Sequence, residues 1–208
     1  MKKALSITDV ITKKKPLFDF EDEWYDAFGC PGKKGVWFIW GSSGNGKTSF
    51  VMQLCKQLTR FGRVAYNSLE EGDDVTMQNA LIRFGMKSVG RRMQILNCES
   101  IMDMEDRMNK RKSPDFYVVD SLQYSRMTYR EYQYFKEAHR DKLVIFISHA
   151  DGKKPAGKVA QSVMYDASLK IFVEGFRAIS KGRFIGPKGY YTVWEEGAER
   201  YWGKKGID

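Results

Sequence analysis

The octapeptide Gly41–Thr48, GSSGNGKT, constrains the fold of this chain more than any other stretch. It matches the pattern G-x-x-x-x-G-K-[ST] and lies between an apolar run, 36–40, and an amphipathic stretch, 47–60. The pattern therefore predicts a loop between a buried strand and a helix, in which glycines let backbone N–H groups surround phosphate oxygens. The alternative is a glycine-rich turn before an ordinary helix.

The loop predicts ATP and Mg²⁺ as ligands. Lys47 is expected to reach the β- and γ-phosphates, and the hydroxyl of Thr48 is expected to bind Mg²⁺. The residues predicted to bind the nucleotide are Gly41, Ser42, Ser43, Gly44, Asn45, Gly46, Lys47, Thr48 and Ser49.

Acidic residues at the ends of two other predicted strands extend this site. Asp120 ends the apolar run FYVVD, where its carboxylate is expected to be a ligand of Mg²⁺; a helix N-cap is the alternative. Glu70 and Glu71 follow the run 63–69, and a carboxylate there can orient or deprotonate the water that attacks ATP. We favour Glu70 as the catalytic base and keep Glu71 as a second candidate, because either one is otherwise a solvated loop residue.

Apolar runs of strand length alternate with longer amphipathic stretches, which is typical of an α/β fold with a mostly parallel central sheet flanked by helices. After Ser148 a Gly/Lys-rich loop and strand-like runs predict antiparallel C-terminal strands. We expect residues 1–34 to be a flanking segment and residues 35–208 to be the ATPase core. The predicted strands are 36–40, 63–69, 93–97, 116–120, 143–148, 168–173, 176–184 and 190–194, and the predicted helices are 47–60, 73–84 and 101–111.

Net charge, cysteine content and the length of apolar runs indicate which partner and which cellular compartment to expect. The net charge of +9, from 35 basic and 26 acidic residues, favours an anionic partner such as nucleic acid, although many basic surfaces are only solvated. Cys30, Cys55 and Cys98 are too few and too widely spaced for a disulfide framework or a CxxC metal site. No apolar run approaches the ~20 residues of a membrane span, and the N-terminus makes a poor signal peptide. A cytoplasmic protein without membrane association is expected.

Later motifs follow the phosphate loop in a recognisable order. They are Ser68-Leu69-Glu70, Ser148-His149, the loop DGKKPAGK, the run YDASLKIFVEG and Lys181-Gly182-Arg183-Phe184-Ile185-Gly186. Together they resemble the RecA-type P-loop ATPase core of RadA recombination ATPases and DnaB-like replicative helicases, in a compact form like that of phages and mobile elements. The last motif departs from the family pattern, since Gly182 replaces an asparagine and Ile185 is inserted. The resemblance implies a RecA-like fold and an ATPase that acts on DNA.

The resemblance also implies roles for residues outside the phosphate loop. Lys181 and Arg183 correspond to a Lys-x-Arg finger that reaches the γ-phosphate held by a neighbouring subunit; the alternative is a solvated basic strand. His149 corresponds to a switch that senses the nucleotide, although a lone histidine can be purely structural. The candidate DNA contacts are Lys153, Lys154 and Lys158 after His149, and Arg126 and Arg130 after Asp120, where Tyr124 and Tyr129 either stack on bases or pack a helix on the sheet.

Three functions agree with these patterns. The first is an oligomeric ATPase, a ring or filament, that acts on DNA in recombination or replication and prefers single strands. The second is a single-stranded DNA-binding or annealing module in which ATP only switches assembly. The third is a small-molecule kinase, which the chain length permits but for which no arginine-rich lid is evident.

Overall fold

The computed structural model describes residues 4–203. The strands are β1 Gly35–Gly41, β2 Val64–Ser68, β3 Met93–Asn97, β4 Phe116–Asp120, β5 Leu143–Asp151, β6 Lys154–Pro155, β7 Leu169–Glu174, β8 Arg177–Ser180 and β9 Tyr190–Thr192. The helices are α1 Ile7–Thr12, α2 Asp22–Phe28, α3 Lys47–Leu58, α4 Val75–Arg83, α5 Ile101–Met108, α6 Leu122–Ser125, α7 Tyr129–Ala138, α8 Lys158–Asp166 and α9 Glu195–Trp202, with a 3-10 helix at Met86–Arg92. Within residues 4–203 no helix is long and apolar enough to cross a membrane.

The strands form one sheet in the order β3-β2-β4-β5-β1-β7-β8-β9, and the short β6 pairs with β5. Pairing is parallel from β3 to β7, and β8 and β9 add antiparallel strands at one side. Parallel strands require crossover connections, and helices supply them on both faces of the sheet. The predicted α/β fold with a mostly parallel sheet and antiparallel C-terminal strands is confirmed.

The register of the central strands brings their carboxyl ends to one edge. Gly41 at the end of β1 lies opposite His149 of β5, and Ser68 at the end of β2 lies opposite Asp120 of β4. Loops that leave a parallel sheet at this edge are where α/β proteins place ligands. The phosphate loop, the Glu70 loop, Asp120 and His149 therefore meet at the same edge.

Two apolar layers hold the sheet between its helices. Alternation along β1 directs Trp37 and Ile39 toward α3 on one face, and Phe38 and Trp40 into the opposite layer. The second layer is completed by α5, α7 and α8. Because β1 lies between β5 and β7 and is buried on both faces, its sequence is a continuous apolar run.

The N-terminal aromatic segment, residues 17–28, packs on the core of its own chain. Phe18 is fully buried, and its ring lies 5.3 Å from the rings of both Trp37 and Phe116 and 5.2 Å from that of Phe61. By contrast α1 buries none of its residues, and Ile11 is 76% exposed. Residues 1–3 and 204–208 lie outside the described part of the chain, and the boundary at residue 34 stays a prediction.

The C-terminal third differs from its predicted secondary structure. The predicted strand 176–184 ends at Ser180, because the chain from Gly186 to Gly189 hydrogen-bonds to the end of α2 through Ala27 and Asp26. The predicted strand 190–194 is confined to Tyr190–Thr192. Helices α8 and α9 were not predicted, although the spacing of Ala160 and Val163, which α8 buries, fits a helical face.

Replacing Phe18 by alanine should destabilise the protein by about 3–5 kcal/mol, because it opens a cavity among packed aromatic rings. Urea denaturation measures the change. The matched control is Ile11→Ala, which alters an exposed position and should stay within about 0.5 kcal/mol of wild type. Equal stability of both variants would contradict the packing of the aromatic segment on its own core.

Candidate functional site

The phosphate loop has the predicted position between a strand and a helix. β1 ends at Gly41 and α3 begins at Lys47, and Gly44 and Gly46 adopt φ angles of 77° and 91° that disfavour other residues. A Cβ at Gly41 would lie 2.2 Å from the carbonyl oxygen of Val173, so only glycine fits there. The Lys47 ammonium donates to the Ser42 carbonyl at 3.2 Å and is held over the loop.

The turn between β7 and β8 supports the same loop. The backbone N–H of Gly175 donates to Asn45 Oδ1 at 2.8 Å, and the N–H of Phe176 donates to the Asn45 carbonyl at 3.2 Å. The Phe176 ring also packs beside Gly46, where a Cβ would lie 3.0 Å from Cδ1. Sequence reasoning assigned Asn45 only to the nucleotide and missed this contact. The Glu-Gly pair at the end of β7 was the available signal of a turn.

A small cavity of about 140 Å³ gathers the predicted nucleotide, metal, base and switch residues. It lies at the carboxyl edge of the sheet. The residues that line it are Ser43, Lys47, Thr48, Glu70, Glu71, Asp120, Ser121, Ile147, Ser148 and His149. The fold therefore brings together side chains that are up to 106 positions apart in sequence, between Ser43 and His149 (149 − 43 = 106).

The Asp120 carboxylate lies at the end of β4, where the chain around it removes most of its contact with water. Burial is the main cause that raises its pKa to about 6, and the nearby Glu70 and Glu71 act in the same direction. A hydrogen bond from the Tyr66 hydroxyl and the charge of Lys47 oppose the rise. A buried carboxylate of this kind is stabilised by a cation. Tyr66, on β2, was missed because its role depends on pairing with β4.

Glu70 and His149 form a direct contact across the cavity. Glu70 Oε2 lies 3.2 Å from His149 Nε2. The predicted base and the predicted switch residue thus lie side by side. Since their side chains keep 33% and 38% of their surface exposed, water and a ligand have access to both. Glu71 also lines the cavity, so both candidates for the base remain at the site.

Gln123 connects the end of β5 to the chain that follows it. Its amide nitrogen donates to Ser148 Oγ at 2.8 Å and to the Ala156 carbonyl at 3.0 Å, and its Oε1 accepts from the His149 N–H at 3.4 Å. The His149 carbonyl also accepts from the Ala156 N–H at 2.9 Å. Sequence reasoning missed Gln123, since nothing in its local context marks it. These bonds tie His149 to the segment that carries the candidate DNA-binding lysines.

The candidate DNA contacts fall on different elements. Lys153 and Lys154 lie on the hairpin of β5 and β6, both exposed, whereas Lys158 is the first residue of α8. The segment that we expected to be a Gly/Lys-rich loop is therefore a short hairpin followed by a helix. Arg126 and Arg130 line two other cavities, beside α7, and Arg130 donates to the Tyr134 hydroxyl at 3.3 Å. Of the tyrosines, Tyr124 is 51% and Tyr129 38% exposed.

Lys181 and Arg183 do not lie on a strand. β8 ends at Ser180, so the expected alternation that would direct both cations to one side of a strand is wrong. Both residues are exposed and do not line the nucleotide cavity of their own chain. Lys181 instead lines a cavity that it shares with Lys153 and Lys154.

The side chains of the cavity fit the phosphates of a nucleotide and Mg²⁺. A Cβ at Gly44 would meet no atom within 4 Å, so the loop is open to a ligand at that point. Ser121 Oγ, beside Asp120, is buried without a hydrogen-bond partner within residues 4–203. Among those residues no cluster of His, Cys, Asp and Glu is able to hold a metal alone. A cation at Asp120 and Thr48 would therefore take further ligands from phosphate oxygens and water, as Mg²⁺ commonly does.

The fold is that of the RecA-like P-loop proteins, and comparisons with solved structures agree. The flagellar accessory protein FlaH of Methanocaldococcus jannaschii superposes with a TM-score of 0.58 at 15% identity, over 86% of this chain and 92% of that one. A KaiC-like protein of the archaeon Pyrococcus horikoshii gives 0.56 at 14% identity, over 81% and 94%. No protein-family model and no curated protein matches the sequence. The likeness therefore concerns the fold.

Mg²⁺-dependent nucleotide binding should weaken as the pH falls through the Asp120 pKa of about 6, because the protonated carboxyl lacks the charge that attracts the cation. The Mg²⁺ concentration for half-maximal binding of a fluorescent ATP analogue should rise about tenfold between about pH 7 and pH 5. Tyr66→Phe should move this transition to higher pH, since the hydrogen bond lowers the Asp120 pKa.

Asp120→Asn is the control for protonation of the nucleotide itself. It should bind Mg²⁺–nucleotide weakly at neutral pH and lose the part of the pH dependence that belongs to the carboxyl group. An unchanged pH profile in Asp120→Asn would show that another group titrates.

Proposed function

We propose that the protein is an ATPase that acts on single-stranded DNA and works as an oligomer in recombination or replication. One observation carries the proposal: a single cavity is lined by the phosphate loop, by the partly buried carboxylate at the end of β4 and by a glutamate 3.2 Å from a histidine. Phosphate binding, a metal site and a base for water are the parts that ATP hydrolysis requires.

The residues of the cavity have distinct parts in the proposed reaction. Lys47 and the N–H groups of the loop bind the phosphates, and Asp120 with Thr48 would hold Mg²⁺, which neutralises phosphate charge when bound. Glu70 accepts a proton from the water that attacks the γ-phosphorus, and the bond from that phosphorus to the β,γ-bridging oxygen breaks. The products are ADP and phosphate.

The proposed action on DNA rests on the hairpin of β5 and β6. Its lysines, Lys153 and Lys154, are exposed cations suited to backbone phosphates. His149 lies on β5 just before the turn of this hairpin and contacts Glu70. Gln123 hydrogen-bonds to His149 and to Ala156, the two ends of the segment 149–156. A change at the nucleotide therefore has a short covalent and hydrogen-bonded path to the proposed DNA contacts.

The ATPase proposal is tested by turnover with and without oligo(dT). Lys47→Ala should abolish nucleotide binding, and Glu70→Gln should lower turnover by about 10²–10⁴-fold while nucleotide binding is kept, as expected for a general base. Glu71→Gln tests the second candidate for the base: it should keep most activity if Glu70 is the base, and a loss confined to Glu71→Gln would assign the base to Glu71. Oligo(dT) should stimulate the wild type, and the stimulation should fall with rising salt.

Three results would decide against this proposal. If oligo(dT) fails to stimulate wild-type ATP turnover at low salt, the proposed action on DNA is contradicted. Strand annealing that survives in Glu70→Gln would favour the ATP-switched annealing module over a motor. Transfer of phosphate to a nucleoside in place of water would favour a kinase.

The finger proposal places Lys181 and Arg183 at the nucleotide of a neighbouring subunit. Both are exposed and outside the cavity of their own chain, which supports action across an interface. Such an interface joins unlike surfaces and closes into a ring or extends as a filament.

Mixing two inactive variants tests the finger. Glu70→Gln and Lys181→Ala should each be inactive alone, whereas an equal mixture should recover about one quarter of wild-type turnover, because random assembly completes that share of the interfaces. Solution mass with ATP analogue and oligonucleotide is measured in parallel. A mixture that stays inactive despite co-assembly, or a monomer under every condition, would contradict the finger.

A further inference from the structure

A second, larger cavity lies on the face of the sheet opposite α3. It has a volume of about 610 Å³, within the about 300–1,000 Å³ typical of sites for small organic ligands. Its apolar floor is formed by Trp40 of β1, Phe172 of β7 and Ile179 of β8, which are neighbours in the sheet. Helix α8 borders the cavity on one side through Met164 and Tyr165, and the hairpin of β5 and β6 borders another.

The rim of this cavity is strongly basic. Four lysines line it, namely Lys153, Lys154, Lys170 and Lys181. Among the described residues that line the cavity, the only carboxylate is Glu174, which accepts a hydrogen bond from the Tyr201 hydroxyl at 3.4 Å. Apolar floor and basic rim together suit a ligand that has a flat apolar part and a negative charge.

Two aromatic side chains extend from the rim into solvent. Tyr165 is 73% exposed, and Trp202 is 41% exposed with its Nε1 fixed by a hydrogen bond to the Gly175 carbonyl at 3.0 Å. Lys170 donates to the Tyr165 carbonyl at 3.1 Å, so a cation lies next to this aromatic residue. Aromatic rings beside cations are the usual combination for unpaired bases and their phosphates.

We propose that this cavity binds one nucleotide unit of single-stranded DNA, with the base against the apolar floor and Tyr165 and the phosphate at Lys153, Lys154 and Lys170. The proposal rests on the proposed function for its choice of partner. Base-paired DNA does not fit the proposal, because its bases are stacked inside the duplex and are not free to enter the cavity. The base, and not only the backbone, is therefore recognised.

The cavity is joined to the nucleotide site through the hairpin. Trp40 Nε1 donates to the Lys153 carbonyl at 3.1 Å, so the floor of the cavity holds the hairpin from below. The same hairpin follows His149, which contacts Glu70. The proposed DNA cavity and the nucleotide cavity thus both border the carboxyl end of β5, through Lys153 and His149 respectively.

Equilibrium binding of fluorescein-labelled oligo(dT) tests the proposal. Tyr165→Ser should weaken binding about 5- to 160-fold, the range expected for loss of one base-stacking contact. The matched control Tyr25→Ser alters an aromatic residue that is 44% exposed on α2 and should bind as wild type. Lys170→Gln should lower the salt dependence of log Kd by about 0.7, the value for one phosphate contact on a single strand, and Lys110→Gln should not.

An oligomer with the same phosphates but without bases isolates the base contact. Wild type should bind the abasic strand more weakly than oligo(dT), and Tyr165→Ser should show a much smaller difference between the two. Circular dichroism melting checks that each variant is folded.

The outcomes separate this proposal from the proposed function. Wild type that binds and is stimulated by oligo(dT), with Tyr165→Ser and Lys170→Gln unchanged in affinity, would overturn the cavity site and leave the ATPase proposal intact. Wild type that binds no oligo(dT) at low salt would overturn both. Equal affinity of wild type for abasic strand and oligo(dT) would overturn base recognition.

Discussion

Parallel pairing in register is the constraint on which the rest of this molecule depends. It aligns the carboxyl ends of β1, β2, β4 and β5, so that four separate loops leave the sheet at one edge. The register brings Asp120 and His149 to this edge, and the packing of α3 against the sheet holds Lys47 there. Polar and charged residues at this edge cost little stability, because the buried part of each strand remains apolar.

The fold places like charges close together in the candidate site. Three carboxylates, from Glu70, Glu71 and Asp120, converge on a small cavity, and burial penalises the charge of Asp120. Lys47 also loses hydration there, and its pKa is lowered by burial, although Asp120 and Glu70 counteract the change. A site with this excess of negative charge and one half-buried ammonium is stabilised when a cation arrives together with an anion. Metal–nucleotide complexes have that composition.

Local patterns predicted the parts of this structure that depend on local sequence. The apolar strands, the phosphate loop and the acidic residue at the end of β4 follow from periodicity and spacing. The contacts of Tyr66, Gln123 and Gly175 join residues that are distant in sequence. Such contacts cannot be predicted from the spacing of residues along the chain. The end of β8 was misplaced for the same reason, since its continuation pairs with α2, more than a hundred residues earlier in the chain. Tertiary pairing overrode an apolar pattern there.

The two hydrogen bonds that Gly175 and Phe176 donate to Asn45 have a consequence for the proposed oligomer. The turn of β7 and β8 that holds the phosphate loop through Gly175 belongs to the same hairpin whose far end leads to Lys181. A shift of the loop when a nucleotide binds or leaves is therefore mechanically connected to the residues that face outward from this hairpin. In an assembly built through Lys181, each subunit would report the state of its own nucleotide to the next subunit in one direction around the assembly. Such one-way coupling would favour sequential over simultaneous hydrolysis in the proposed assembly.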